Sequence, residues 1–358
     1  MLQLQLYSLK ILEIRRIVSK IISKLVMKMS GYKPPYDITD EMIELVSLIS
    51  EKVGKINSHN ELESKPHLRK NNRIQSIHSS LKIEANSLSL SDTRAVINGH
   101  EVIGNQQEVQ EVKNAYSAYG EMQNINPYSL TDLKRIHGIM TYRTVEESGE
   151  FRKGNEGVFS EGKCIFVAPP PEMVSSLMSD LFGWMNENQN KVHPLIMSAV
   201  FHYEFVFIHP FSDGNGRMAR LWHTVILSKW RNVFEYIPLE SQIEKFQSEY
   251  YAAISGCHVS GNSNVFIEFI LNQINRILDD VILQISRSNS ETSEYVRKML
   301  EVMQYDVPYT ASSIMTLLGL KSRETFRKNY MNPAIESGFV QMTIPDKPNS
   351  KNQRYVKI

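Results

Sequence analysis

The chain has 358 residues, 42% of them hydrophobic, and a formal net charge of +1 at pH 7. That length accommodates two domains, and the near-zero charge excludes a chain-wide basic bias toward nucleic acid. The two cysteines, Cys164 and Cys257, give no disulfide framework, so free thiols and a cytoplasmic setting are the economical expectation.

The first thirty residues form an N-terminal extension of their own character. Leu2 to Lys28 is apolar and basic, with Glu13 as its one acid. Lys10, Arg15, Arg16, Lys20 and Lys24 interrupt it, so it is no transmembrane segment, and it lacks the order of a signal peptide. Ile11, Ile14, Ile17, Ile21 and Leu25 are spaced as on an amphipathic basic helix that could lie on a membrane or a partner. The favoured reading is blander: an upstream start codon, with Met27 or Met29 as the biological start. A first domain then spans residues 31–286. Tyr32-Lys33-Pro34-Pro35-Tyr36 leads in, Ile38-Thr39-Asp40-Glu41 opens a helix, and nearly everything from Asp40 to Leu283 reads helical.

Two segments inside this domain stand out before its main motif. Ser79-Ser80-Leu81-Lys82-Ile83-Glu84-Ala85-Asn86 closes a helical stretch. Lys153 to Phe166, with Gly154, Gly157 and Gly162 between short apolar runs, has the pattern of a β-hairpin. Val167-Ala168-Pro169-Pro170-Pro171 breaks its second strand before a helix opens near Glu172. His137, within helical Leu133–Met140, reads as packed or capping, as do His193 and His202. No Cys/His spacing supports zinc.

The most informative stretch follows: His209-Pro210-Phe211-Ser212-Asp213-Gly214-Asn215-Gly216-Arg217-Met218-Ala219-Arg220. Pro194–Ile208 before it and Arg217–Trp230 after it both read as helices, the second with Met218, Leu221, Trp222, Val225 and Ile226 on one face. The motif is therefore an interhelical loop. Its glycines lie just ahead of a helix N-terminus, where unpaired N–H groups and the helix dipole favour an anion. Without Cβ atoms, Gly214 and Gly216 let those amides approach a phosphate closely. Arg217 and Arg220 lie three apart on one face, and guanidinium groups grip phosphate oxygens in pairs. Asp213 is a hard oxygen ligand suited to Mg²⁺. His209 titrates near neutrality and suits a general base. Together these parts describe a nucleotidyl- or phosphoryl-transfer site.

The string resembles the signature of the Fic family, His-Pro-Phe-x-(Asp/Glu)-Gly-Asn-Gly-Arg-x-x-Arg, matched at every specified position. The resemblance covers Asp40 to Leu283 and is most specific at residues 73–86 and 193–220. It implies a mainly α fold, a helical core with a β-hairpin flap. It implies transfer of AMP from ATP to a Ser, Thr or Tyr hydroxyl of a target protein, with self-modification as a further outcome. By resemblance His209 deprotonates the target hydroxyl and Asp213 holds Mg²⁺. Asn215 and the Gly214 and Gly216 backbone cradle the α- and β-phosphates, Arg217 contacts the β-phosphate side and Arg220 orients the γ-phosphate. Phe211, grouped with that cradle, is the family's buried anchor for the loop. Ser80 and Glu84 match the family's inhibitory helix, Ser/Thr-x-x-x-Glu-Gly/Asn, here at about residues 73–86. Its glutamate pairs with the second motif arginine and keeps the γ-phosphate from docking. The placement resembles the class with an N-terminal inhibitory helix, and Ala85 departs from its pattern. The hairpin corresponds to a flap that holds the target by strand pairing, with Cys164 to Val167 as the clamping edge.

Ser288-Asn289-Ser290-Glu291 reads as a polar linker, and residues 287–358 as a winged helix-turn-helix domain. Helices are expected over Glu291–Tyr305, Thr310–Leu318 with Thr310 as cap, and Arg323–Glu336, the last ended by Gly338. Phe339–Ile344 and Gln353–Ile358 would form the wing. Lys321, Arg323, Arg327, Lys328, Lys347, Lys351, Arg354 and Lys357 outnumber Glu324, Glu336 and Asp346. DNA through residues 321–358 is accordingly weighed as a partner, beside a dimer or other partner-module role. The first expectation is an autoinhibited protein adenylyltransferase. The alternatives are a nucleotide-responsive DNA-binding regulator, or a Fic enzyme that removes AMP or uses another nucleotide.

Overall fold

The computed structural model describes residues 31–58, 66–160, 163–291, 293–304, 307–345, 347–348 and 350–357. The amphipathic reading of residues 1–30 lies outside the described residues.

Local signals set the helix starts. Helix α1 spans Asp40–Ser58, with Asp40 and Glu41 in its first turn, where acids favour the helix dipole. Helix α2 spans Pro66–Ile83 and α3 Leu90–Ile97, the latter opened by a capping box of Ser89 and Asp92. Asn105 caps α4 (Gln106–Gly120), and Ser129 caps α5 (Leu130–Met140) by accepting the Asp132 N–H. The hairpin follows, β1 (Gly157–Ser160) antiparallel to β2 (Lys163–Val167), with a register irregularity between Val158 and Phe159. Helix α6 (Pro171–Asn188) starts on a proline, and α7 (Pro194–Ile208) on another, with His193 accepting the Leu195 N–H. Then come α8 (Asn215–Trp230), α9 (Leu239–Lys245), α10 (Gln247–Ser260) and α11 (Asn264–Glu291).

Helices α7 and α8 form the centre. Every residue from Leu195 to Phe205 and from Arg217 to Ser228 is buried. The single apolar face expected of α8 was too narrow a reading, because Arg217, Arg220 and His223 are buried as well. A helix buried all round lies inside its domain. One continuous hydrophobic cluster runs from Met42 to Val281, and a second, separate one from Val296 to Tyr355.

Two sequence expectations need correction. Ser288–Glu291 is not a break but the last turn of α11. It holds neither glycine nor proline, and serine or asparagine costs a helix only a few tenths of a kcal/mol, at most ~0.7, relative to alanine. Arg217 is the third residue of α8 rather than its first.

Around the second cluster lie α12 (Glu294–Val302), β3 (Pro308–Tyr309) and α13 (Ala311–Leu317), which Thr310 caps as expected. A helical run then covers Arg323–Glu336. It comprises α14 (Arg323–Phe326), a π-helical stretch (Arg327–Met331) and α15 (Asn332–Glu336). Strands β4 (Val340–Met342) and β5 (Tyr355–Lys357) join β3 in a sheet of order β3-β5-β4. Lys357, counted above among the basic residues, is buried and donates to the Leu300 and Met303 carbonyls at the end of α12. It caps a helix and adds nothing to a basic surface.

Candidate active site

The motif loop is held from four directions. First, it closes on itself. Asn215 Oδ1 accepts the Phe211 N–H at 3.0 Å, and its Nδ2 donates to the Phe211 carbonyl at 2.7 Å. The Asn215 amide expected to cradle phosphate is thus committed largely to the loop's own backbone. Second, Phe211 is fully buried and stacked on His137, with ring centroids 3.6 Å apart. It supports the loop from behind.

Third, His137 bridges two backbones. Its Nδ1 accepts the Gly149 N–H at 2.9 Å, so its Nε2 carries the proton it gives to the Asp213 carbonyl at 3.0 Å. Burial drives its pKa down to about 4, so the ring stays neutral. Fourth, Arg152 is buried and donates to the carbonyls of His209 (2.6 Å), Pro169 (2.6 Å) and Gly154 (2.8 Å). Its own N–H donates to the Pro210 carbonyl at 3.0 Å. One guanidinium therefore ties the motif loop to the foot of the hairpin. Sequence reading passed over Arg152, because only the tertiary fold brings those carbonyls together.

These restraints impose an unusual backbone. His209 ends α7 in the left-handed region at φ 51°, and Gly214 precedes α8 at φ 78°. The first is uncommon for a residue with a Cβ, and the loop's bonds hold it there. A Cβ on Gly214 would meet Thr141 Cγ2 at 3.0 Å, so helix α5 packs tightly against this turn.

The chemical groups now fall into place. Burial lowers the His209 pKa, so the ring is neutral at pH 7. Its Nδ1 faces the Val206 carbonyl at 3.4 Å, which favours the proton there and leaves Nε2 as acceptor. Glu84, Glu156 and Arg152 are among the charges that act on it. Asp213 Oδ1 accepts the Gly214 N–H at 2.6 Å, and Oδ2 pairs with Arg217 at 2.8 Å. Arg217 is buried, yet its Nε and Nη1 have no hydrogen-bond partner. Two buried, unsatisfied donors on a cation are the mark of an anion site.

Arg220 is buried and fully engaged. Its Nε donates to Ser80 Oγ (3.0 Å), and its Nη2 donates to the Ser80 carbonyl (2.9 Å) and Glu84 Oε1 (2.8 Å). Burial alone would lower its pKa, but Glu84, helped by Tyr250 and Tyr119, raises it above the ordinary value. The Glu84 carboxylate also lies against Gly216, where a Cβ would collide with Oε1. A carboxylate therefore fills the space over the first turn of α8. The turn that delivers it is strained, since Ala85 adopts φ 65°. Glycine or asparagine suits that conformation and alanine does not. Ser80, Glu84, His209, Phe211, Asp213, Gly214, Asn215, Gly216, Arg217 and Arg220 thus converge on one interhelical corner, Phe211 and Asn215 from inside the loop.

Comparison with known proteins gives the chain a family. Residues 127–227 match the Fic/DOC family and residues 294–356 the C-terminal domain of Filamentation induced by cAMP protein Fic-like. The protein adenylyltransferase Fic of Culex quinquefasciatus is 32% identical over 216 residues. That alignment takes in 58% of this chain, and the chain spans only 41% of the relative's length. Fic-1 of Caenorhabditis elegans shares the fold at a TM-score of 0.54 and 23% identity, over 77% of this chain and 78% of that one. A Fic family protein from Desulfovibrio desulfuricans G20 superposes at a TM-score of 0.69 with 37% identity, over 91% of this chain and 98% of that one. At that identity and coverage, the chain belongs to the Fic family.

Proposed function

We propose that this chain is a protein adenylyltransferase that moves AMP from ATP to a hydroxyl of a target protein, and that Glu84 holds it inactive. One observation carries the reading: a buried arginine of the phosphate cradle, Arg220, is neutralised by Glu84 over the first turn of α8. Any buried arginine needs a counter-charge, but here it arrives on a strained turn from another helix, beside a second motif arginine whose donors are open.

The chain's own groups support each step. The α8 N-terminus and the open donors of Arg217 bind the phosphates. His209 Nε2 takes the hydroxyl proton as the oxygen attacks the α-phosphorus, and pyrophosphate leaves. Asp213 is the residue that would hold Mg²⁺. A lone half-exposed carboxylate beside a phosphate cradle fits an ion that prefers few protein ligands and keeps waters and phosphates. Among the described residues no group of three acids, histidines or cysteines could hold a metal unaided. When bound, the ion neutralises phosphate charge. The hairpin serves as the flap: its two-stranded sheet leaves backbone open for pairing, and Val167 at the end of β2 is 70% exposed. An extended target segment would add there as a strand.

The C-terminal segment fits a winged helix. Lys321, Arg323, Arg327, Lys328, Lys347 and Lys351 are exposed, which favours DNA as a second partner. Binding to duplex DNA that declines steeply with added salt supports this, and no binding at low salt removes it.

The function is tested with Glu84→Gly, incubated with labelled ATP and a cell lysate. Self-labelling and transfer should rise over the parent. Adding His209→Ala to that variant should lower transfer by roughly 10²–10⁴-fold, the worth of a general base, with ATP affinity little changed. A Glu84→Gly protein no more active than the parent refutes the autoinhibited transferase.

A further inference from the structure

Glu84 is not the only carboxylate joined to the motif arginines. Glu111, on α4, places Oε1 3.9 Å from Arg217 Nη1, one of the two donors without a hydrogen bond. Its Oε2 accepts Asn86 Nδ2 at 2.9 Å. Asn86 is the second residue after Glu84. Its N–H reaches back to the Leu81 carbonyl at 3.1 Å, closing the turn that contains Ala85. Its Oδ1 accepts the Leu88 N–H at 3.2 Å. Nearby, Glu108 accepts from the Ser87 N–H and hydroxyl. Each motif arginine is therefore tied to one short turn, Arg220 directly through Glu84 and Arg217 through Glu111 and Asn86.

We infer that Glu111 is a positioning residue that couples phosphate arrival at Arg217 to release of the turn carrying Glu84. This rests on the transferase reading and deepens it. The largely buried Glu111 side chain, 15% exposed, has Arg217 as its counter-charge. A phosphate that recruits Arg217 Nε and Nη1 takes that counter-charge away and adds negative charge beside the carboxylate. Repulsion at this depth is weakly screened. Glu111 then shifts, and its bond to Asn86 is lost. The turn keeps its strain at Ala85 and loses a hydrogen bond to a charged group, so Glu84 comes off Arg220 more readily. In the absence of nucleotide the same contacts hold the turn shut.

The test uses Asn86→Ala and Glu111→Gln, each in the full chain and in Glu84→Gly, with thermal melts to confirm folding. Initial self-labelling rates and calorimetric affinity for ATP with magnesium are measured. Asn86→Ala should raise basal labelling about tenfold in the parent, the worth of one charge-assisted hydrogen bond, and leave Glu84→Gly unchanged. Glu111→Gln keeps an acceptor for Asn86 but removes the charge. In Glu84→Gly it should tighten ATP binding by about threefold to tenfold, lowering KM and not kcat, as loss of a like charge near phosphate requires. Packing alone would not give this split. The inference is overturned if Asn86→Ala acts equally in both backgrounds, or if Glu111→Gln leaves ATP affinity unaltered. Should Glu84→Gly fail to raise labelling, the transferase reading falls separately, and the ATP affinities still decide the role of Glu111.

Discussion

The motif loop and the turn that carries Glu84 both hold residues in the left-handed region, and they do so in opposite ways. His209, at φ 51°, is fixed by Arg152 on its carbonyl and by the stacked pair Phe211–His137 beneath the loop. Its strain is overdetermined by four buried groups, Arg152, Phe211, His137 and Asn215. Ala85, at φ 65°, sits on a turn held by hydrogen bonds of Asn86 and Ser87, and the glutamate it presents is 37% exposed. Strain in the first region sets geometry for chemistry, and strain in the second makes a contact easy to release.

The comparison is broken most severely at Arg152. Arg152→Ala removes donors from three carbonyls at 2.6–2.8 Å. Losing three charge-assisted hydrogen bonds to part-buried carbonyls should lower stability by about 3 kcal/mol, read by urea unfolding. With His209 no longer held, transfer in the Glu84→Gly background should drop by about 100-fold, the scale of a misplaced catalytic group. A variant that melts early yet keeps full single-turnover rate would show that the loop holds His209 unaided.

Much of the corner was legible because its chemistry is local. Twelve consecutive residues carry the base, the carboxylate, the turn glycines and both arginines, and two flanking helices fix their order. The Ser80 and Glu84 contacts were legible only through the resemblance, since they cross 140 and 136 positions to reach Arg220. Arg152, Glu111 and the bridging role of His137 were not legible. Each acts on backbone or side chains that only packing brings near, and none carries a spacing that signals it. The Ser288–Glu291 linker was misread for a different reason. Polar composition marks solvent exposure, not the end of a helix, and α11 runs through it.

A smaller effect comes from acid, which attacks the rigid region. His137 and His223 are buried with folded pKa values of about 4, against an ordinary 6.5. The unfolded chain binds protons first, so the stability from keeping these rings neutral is complete above pH 6.5. It is lost as pH falls from there toward 4. For the two rings together the loss should amount to roughly 3 kcal/mol by pH 5.5. Thermal melts at pH 7.5, 6 and 5 check this, with the midpoint falling at each step. A flat midpoint across that range would mean that both rings accept protons inside the fold.

The smallest change sharpens the comparison. Ala85→Gly relieves a left-handed alanine at φ 65°. Relief is worth about 1 kcal/mol after the greater freedom of glycine in the unfolded chain is subtracted. If that strain is shed when Glu84 leaves Arg220, the substitution deepens the lock. Basal self-labelling should fall by about fivefold, with a melting temperature higher by about 2 °C. In Glu84→Gly the same substitution should alter the melt and not the labelling rate, because no latch remains for the turn to close. A basal rate that stays constant while the melt rises would place the strain in both states, and the turn would then be a fixed bracket instead of a spring.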